Sequence, residues 1–237
     1  MLSAKSTLIR EMFSAIAPRY DYLNHFLSLN IDARWRKMAV ALLKERLAAD
    51  NPLCLDLCCG TGDLSLEMGR QGISPVVACD FSHPMLKLNR EKAGKFRNNR
   101  VIHLAEADAL ELPFPAATFD GVAIGFGLRN LDDAARGIAE MHRVLKPGGT
   151  LAVLEFSKPS NPYFNRLFQF YFFNILPGIG NWISKHRHAY GYLPASVRLF
   201  PSQQELIRIL EDCGFAETGF CNLTGGIAAV HYGTKRE

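Results

Sequence analysis

No Cys-x-x-Cys pair occurs among the six cysteines, Cys54, Cys58, Cys59, Cys79, Cys213 and Cys221, and no histidine, cysteine and acidic cluster has metal-ligand spacing. A zinc site or a dithiol redox motif is therefore not expected, and the thiols read as reduced core fillers, four of them in or beside apolar runs. A long basic run is missing too. The formal charge is +4 and the basic residues are scattered, which does not suit a chain that follows a phosphate backbone, so no nucleic acid is expected as a partner. That mild charge remains compatible with contact at an anionic membrane surface. The opening MLSAKSTLIREMF lacks the apolar core of about 7 to 15 residues that a signal peptide needs. The expected location is cytoplasmic, with peripheral contact at the inner face of the membrane.

What is present is enough for a folded core. The 237 residues are 48% hydrophobic and 21% charged, with mean hydropathy near zero, as in globular α/β domains. Apolar runs alternate with helical stretches: PLCLDL (52–57), a helix over 63–70, PVVACD (75–80), the helix HPMLKLNREKAGKF, RVIHLAEAD, TFDGVAIGF, a helix from 133 to 145 ended by KPGG, and TLAVLEFS. This rhythm predicts a mostly parallel sheet covered by helices on both faces, with ligands beyond the carboxyl ends of its strands. An aromatic insertion follows, and then SQQE (202–205), whose capping-box spacing starts a helix that Gly214 stops. FAETGFCNL and IAAVHYG, joined by a short TGG turn, predict an antiparallel pair. The first 50 residues read as two helices flanking APRYDYLNHFLSLNIDARW. One domain is expected over 1–237, with 1–50 as a helical cap and 158–200 as an insertion covering the substrate.

The turn LDLCCGTGDLS follows the first strand, with Gly60 and Gly62 but without the third glycine of a dinucleotide fingerprint. Asp80 ends the next strand, where a carboxylate accepts both hydroxyls of an adenosine ribose. Asp56, just before the turn, would repel a pyrophosphate but attract a cationic amino group or sulfonium. Asp108 is placed to accept from the adenine amino group. An acidic lining argues for a positively charged cofactor, although helix capping and salt bridges are the simpler uses of Asp56 and Asp108.

Asp56, Gly60, Thr61 and Gly62, then Asp80, Asp108 and the LKPGG turn resemble the motifs of class I S-adenosylmethionine-dependent methyltransferases. The resemblance implies a Rossmann-like α/β fold with a mostly parallel seven-stranded sheet whose last strands include an antiparallel pair. It implies S-adenosyl-L-methionine as cofactor, held by those residues together with Phe81, Ala109 and Gly125.

YDYLNHFLSLNIDARWRK (20–37), FGLRNL (126–131), RVLKPGGTLAVLEFSKP (143–159) and LTGGIAAVHYG (223–233) resemble more narrowly the ubiquinone/menaquinone biosynthesis C-methyltransferases, the UbiE/MenG family, over nearly the whole chain. What this implies is methyl transfer to a ring carbon of a polyprenylated hydroquinone, demethylmenaquinol or the ubiquinone benzoquinol precursor. Arg129, Asn130 and Tyr20 are then the expected catalytic and substrate-binding residues, and His186, His188, Tyr190 and Tyr192 are expected either as head-group contacts or, for the histidines, on a solvated loop. Arginine stays protonated, so Arg129 is expected to stabilise a phenolate or orient a water rather than act as a free base. Its simpler reading is a salt bridge to a loop carboxylate such as Asp132. The family commonly has Met at Leu23, Gly at Asn30, His at Asp32 and Ser at Gly125, so a role for that histidine or that hydroxyl does not carry over. Asp32 itself reads as a helix N-cap before ARWRK, or as a proton acceptor if its segment folds inward.

The run from Tyr163 to Ile183 is aromatic but is interrupted by Asn165, Arg166, Gln169, Asn174, Pro177 and Asn181, which excludes a spanning helix. It is expected either to line a tunnel for the isoprenoid tail and touch the membrane, or to pack in the core or in a homodimer. Two other functions stay open: a class I methyltransferase of another lipid or phenolic acceptor, and a non-catalytic S-adenosylmethionine-binding subunit of a quinone-synthesis complex.

Overall fold

Strand β1 (Cys54–Leu57) is buried at all four positions, as a strand covered on both faces must be. Its alternate side chains enter different cores. Leu55 and Leu57 pack with Val122, Ile138, Met141 and Leu206, whereas Cys54 packs with Val40, Leu43, Leu64 and Met68 on the opposite face. Burying side chains of this size contributes about 1.5 to 3 kcal/mol each.

The computed structural model describes residues 4–95, 101–159, 161–171 and 189–236. Around β1 stand β2 (Val76–Asp80), β3 (Ile102–Glu106), β4 (Phe119–Gly125), β5 (Leu145–Phe156), β6 (Phe215–Leu223) and β7 (Ala228–Lys235). They form one seven-stranded sheet in the order β3-β2-β1-β4-β5-β7-β6. The first five run parallel, and β7 pairs antiparallel with both β5 and β6. The expected mostly parallel sheet with an antiparallel pair at its end is thus observed.

Helices α2 (Ile31–Arg46), α3 (Asp63–Arg70) and α4 (His83–Lys95) alternate with the early strands, and α5 (Ala134–Val144) precedes β5. Beyond β5 come α6 (Pro162–Phe170), α7 (Ala189–Leu199) and α8 (Gln203–Asp212). The SQQE capping box is present, with Ser202 Oγ accepting from the Glu205 N–H and the Glu205 side chain accepting from the Ser202 N–H. Among the described residues no helix is long and apolar enough to cross a membrane.

The N-terminal segment differs from expectation. The aromatic stretch read as a connection is itself helical, because α1 runs over Ala4–Leu27 and α2 begins at Ile31. Only the short turn between them breaks the path, with Leu29 (φ 52°) and Asn30 (φ 59°) left-handed. Asn30, not Asp32, occupies the N-cap position, and it makes no side-chain cap bond. Asp32 turns inward instead and is buried.

Candidate active site

Two adjoining cavities open beyond the carboxyl ends of β1, β2 and β4, and both are roofed by α1. They share the walls formed by Phe13, Cys58, Gly60, Gly125 and Phe126. The smaller, of about 70 Å³, collects Asp80, Phe81, Asp108, Ala109 and Asn130. The larger, of about 290 Å³, collects Asp56, Thr61 and Arg129 with Trp35, Phe156 and Tyr192.

The turn between β1 and α3 shapes the junction. Cys58 (φ 54°) and Gly60 (φ 53°) are left-handed, and Asp80 Oδ2 accepts the Gly60 N–H at 2.9 Å while Oδ1 accepts the Ser82 N–H at 2.9 Å. Asp80 therefore braces the turn as well as facing the cavity, with part of its acceptor capacity left over. Burial pushes its carboxyl up to about 6, against the pull of the N–H bonds. Gly62 lines neither cavity. It starts α3 at φ 91°, and a Cβ there would run into the Asn89 side chain; its role is to permit the turn.

Asp56 is 1% exposed. Ser65 Oγ donates to its Oδ2, while Oδ1 is buried without a partner among the described residues. Burial pushes its carboxyl up to about 7. A buried acceptor left unmatched carries a desolvation cost that a cationic donor in the cavity would remove. The site fits S-adenosylmethionine in this respect, since an amino group and a sulfonium are the charges such a carboxylate favours. Asp108 Oδ1 accepts the Leu110 N–H at 2.9 Å, leaving Oδ2 for the smaller cavity.

On the far side, a 3-10 turn over Leu128–Asn130 follows β4. Phe126, at φ 58°, turns its carbonyl back so that it accepts from Arg129 Nη1 at 2.5 Å and from Asn130 Nδ2 at 3.3 Å. Arg129 pairs with Glu155 Oε1 at 2.6 Å, rather than with Asp132 as the simpler reading of the sequence had it. Asn130 Oδ1 accepts from the Tyr192 hydroxyl at 3.1 Å, so Tyr192 joins the site from α7. Burial pushes the Tyr192 hydroxyl up from its ordinary value, opposed by Arg129.

The roof is latched by charge. Asp21 of α1 accepts from Thr61 Oγ1 at 2.5 Å and pairs with Lys92 Nζ at 2.6 Å. Lys92 also pairs with Asp63 at 2.6 Å. Asp32 is an acceptor on both oxygens: Oδ1 accepts from Ser28 Oγ at 2.7 Å, and Oδ2 accepts from Arg36 Nη1 at 2.7 Å and meets His25 Nδ1 at 2.9 Å. With so many partners its carboxyl lies below the usual range: burial works to raise it, and Arg36, Ser28 and His25 outweigh that.

Of the expected site residues, the structure brings all but five to the cavity walls. Gly62 lies behind them, and His186 and His188 fall outside the described residues. Tyr20 lies on α1 and Tyr190 on α7, with side chains outside the described residues. Sequence reasoning missed Glu155, Arg36, Lys92 and the cluster of Trp35, Phe126 and Phe156, whose rings meet tilted or edge-on. A signal existed for Glu155, a lone acid inside the apolar run TLAVLEF. None existed for Lys92, which reads as one more surface cation on α4.

The model of the ubiE/COQ5 methyltransferase family matches residues 1–235. Over 236 residues the chain is 45% identical to a protein of Geobacter sp. (strain M21) named ubiquinone/menaquinone biosynthesis C-methyltransferase UbiE, covering 99% of each. It is 44% identical over 233 residues to the demethylmenaquinone methyltransferase of Deinococcus radiodurans, covering 98% of this chain and 94% of that one. In fold it is similar to a crystal structure of a SAM-dependent methyltransferase from Thermotoga maritima, with TM-score 0.62 at 19% identity over 95% of this chain and 99% of that one. Matched along its length by sequence, and by fold to a methyltransferase, the chain belongs to the ubiE/COQ5 methyltransferase family.

Proposed function

We propose that the protein is an S-adenosylmethionine-dependent C-methyltransferase of isoprenoid quinone biosynthesis, methylating a ring carbon of demethylmenaquinol, of the ubiquinone benzoquinol precursor, or of both. The observation that carries this reading is one cavity holding the unmatched Asp56 Oδ1 together with Arg129 and an aromatic wall. The names of relatives such as those from Geobacter and Deinococcus support it.

Asp56 and Arg36 would hold the amino and carboxylate ends of the methionine part, and Asp80 and Asp108 the ribose and adenine. Bound there, S-adenosylmethionine supplies a methyl group on a positively charged sulfur. The chain's own residues then act on the acceptor. Arg129 directs N–H groups at a phenol oxygen, favouring loss of its proton to water and so pushing electron density onto the ring carbon. The ring carbon so activated would take the methyl group, and its own proton would then pass through water to the phenol oxygen as aromaticity is restored, so that one proton in all is released. Alignment and charge stabilisation in a water-poor site are the two effects asked of the protein. Trp35, Phe126 and Phe156, packed edge-on and tilted against one another, form an apolar wall for the ring, and Asn130 and Tyr192 offer hydrogen bonds at its rim.

The tail would leave past Phe168 and Tyr171, which line the larger cavity, toward the exposed Tyr163 and Phe170 of α6. That face would touch the membrane surface where quinones reside. Sedimentation with anionic vesicles tests the contact: Tyr163→Ser/Phe170→Ser is expected to weaken it. If the vesicles leave it unchanged while the variant alters self-association, the face is a homodimer contact instead.

The reaction is tested by methyl transfer from isotopically labelled S-adenosylmethionine to reduced demethylmenaquinol and, separately, to the benzoquinol precursor, with product mass and position determined. Ring-carbon methylation of either is the expected result. Cofactor binding without transfer to either would overturn the acceptor assignment.

A further inference from the structure

The run 150–156 of β5, TLAVLEF, carries a single ionisable side chain, and that side chain, Glu155, is 1% exposed. Its Oε2 accepts the Phe156 N–H at 3.1 Å and its Oε1 accepts from Arg129 Nη1 at 2.6 Å. Arg129 is itself 6% exposed. Its Nη1 is shared between Glu155 and the Phe126 carbonyl, while its Nε is buried with no acceptor among the described residues.

A buried ion pair seldom adds stability over apolar side chains of similar volume. Stability therefore does not explain an acid at this point, but the cavity wall in front of it does. Arg129 lines the same cavity as Asp56. An uncompensated guanidinium there would repel a sulfonium through a medium that screens poorly. Replacing the arginine would relieve the repulsion but remove the N–H donors that a developing phenolate needs. A carboxylate behind the arginine meets both demands, since the pair is neutral and engages Nη1 alone, leaving the other guanidinium N–H groups without an acceptor among the described residues.

We propose that Glu155 is a positioning and charge-compensating residue: with the Phe126 carbonyl it fixes the plane of the Arg129 guanidinium, and its charge cancels that of Arg129 so that the cavity admits a cationic cofactor beside it. The inference rests on the cofactor reading above and deepens it. No contact between Glu155 and either reactant is required.

The test compares two ligands that differ in charge at one atom. Affinities of wild type and Glu155→Gln are measured by calorimetry for S-adenosylmethionine, a sulfonium, and for S-adenosylhomocysteine, whose sulfur is neutral. The expected result is at least about a fivefold loss for the sulfonium with the neutral ligand within about twofold. Adding Arg129→Met to Glu155→Gln is expected to restore the ratio of the two affinities without restoring turnover. Equal losses for both ligands, as a merely structural role would give, or no loss for either, would overturn the proposal. A wild-type protein that binds neither ligand would overturn the cofactor reading and this inference with it, which keeps the two failures distinct. If Glu155→Gln does not fold, Glu155→Asp takes its place, keeping the charge but withdrawing the carboxylate. It is expected to hold the wild-type affinity ratio while kcat falls about tenfold or more; an unchanged kcat or a shifted ratio would overturn the proposal.

Discussion

The two cavities differ in how far along the chain their walls are gathered. The smaller one is built largely from residues that directly follow strands: Gly60 after β1, Asp80 and Phe81 at the end of β2, Asp108 and Ala109 after β3. The larger one draws on α1, α2, the turn after β4, the end of β5, α6, α7 and the turn after β6. One is a property of the parallel sheet, whose strand ends converge by topology. The other exists only once distant elements have packed. On the proposed function, the ribose and adenine end of the cofactor site is thus fixed by the fold, whereas the larger cavity, with Asp56 and the acceptor side, also needs particular side-chain pairs laid over it.

If this division holds, damage on one side should leave the other intact. The largest effect is expected at Arg129. Arg129→Ala should lower kcat by about a hundredfold, the scale of losing one preorganised donor to a developing oxyanion, while affinity for the uncharged S-adenosylhomocysteine stays near wild type. Stopped turnover with intact calorimetric binding is the diagnostic pair, and wild-type turnover would remove Arg129 from the chemistry. Asp56→Asn comes next and acts on the cofactor side. It should weaken S-adenosylmethionine binding by about tenfold at pH 8, the worth of one charge-assisted hydrogen bond.

The same position gives a pH dependence of definite sign. Burial raises the Asp56 carboxyl to about 7, so the anion that favours a cationic ligand is lost as pH falls through 7. Wild-type affinity should decline below that point, and the gap between wild type and Asp56→Asn should close by pH 5.5. For the ligand-free fold the sign reverses. A raised carboxyl contributes stability that is full below its unfolded value of about 3.9 and is lost as pH rises through the folded value. Asp56→Asn should therefore raise Tm at pH 8 by about 2 to 6 °C. A variant that bound less tightly and also melted lower would show that Asp56 is structural.

The same contrast explains what the sequence disclosed. The helix over 63–70, the capping box at Ser202 and the antiparallel end of the sheet were legible because each rests on neighbours within a few residues. Asp56, Gly60, Asp80 and Asp108 were legible for the same reason, each standing where an apolar run meets a turn. The pairing of Arg129 with Glu155 was not, since 26 residues separate them and register between β4 and β5 brings them together. Asp32 misled because an acid near a helix start is an ordinary cap; its pair with Arg36 is a local i,i+4 contact within α2, but only the packing of α1 against α2 shows it facing His25. The latch from Lys92 to Asp21 and Asp63 joins α4, α1 and α3, and no local pattern encodes it.

That latch holds α1, which roofs both cavities, so it should yield a smaller effect shared by both. Lys92, Asp21 and Asp63 are all partly exposed, and ion pairs in such settings contribute about 0 to 1 kcal/mol each. Lys92→Met should speed cofactor dissociation by about threefold in stopped-flow measurements, in keeping with that range, and the difference should shrink at high salt as the remaining charges are screened. Salt-independent kinetics in both proteins would mean that α1 is held by its apolar face alone.

The smallest expected effect is at Gly125, which lines both cavities at the end of β4. A Cβ built there would stand 3.2 Å from Leu64 Cδ2, the mobile end of a side chain that can yield by a few tenths of an ångström. Its φ is not in the left-handed region, so a side chain brings no backbone strain. Gly125→Ser should therefore fold normally, with Tm within about 2 °C of wild type. Its hydroxyl would reach the rim of the junction and offer one more hydrogen bond, changing cofactor affinity by about two- to threefold at most once desolvation is counted. A kcat change larger than the affinity change would place the junction, rather than the wall behind it, in control of how the two reactants are aligned.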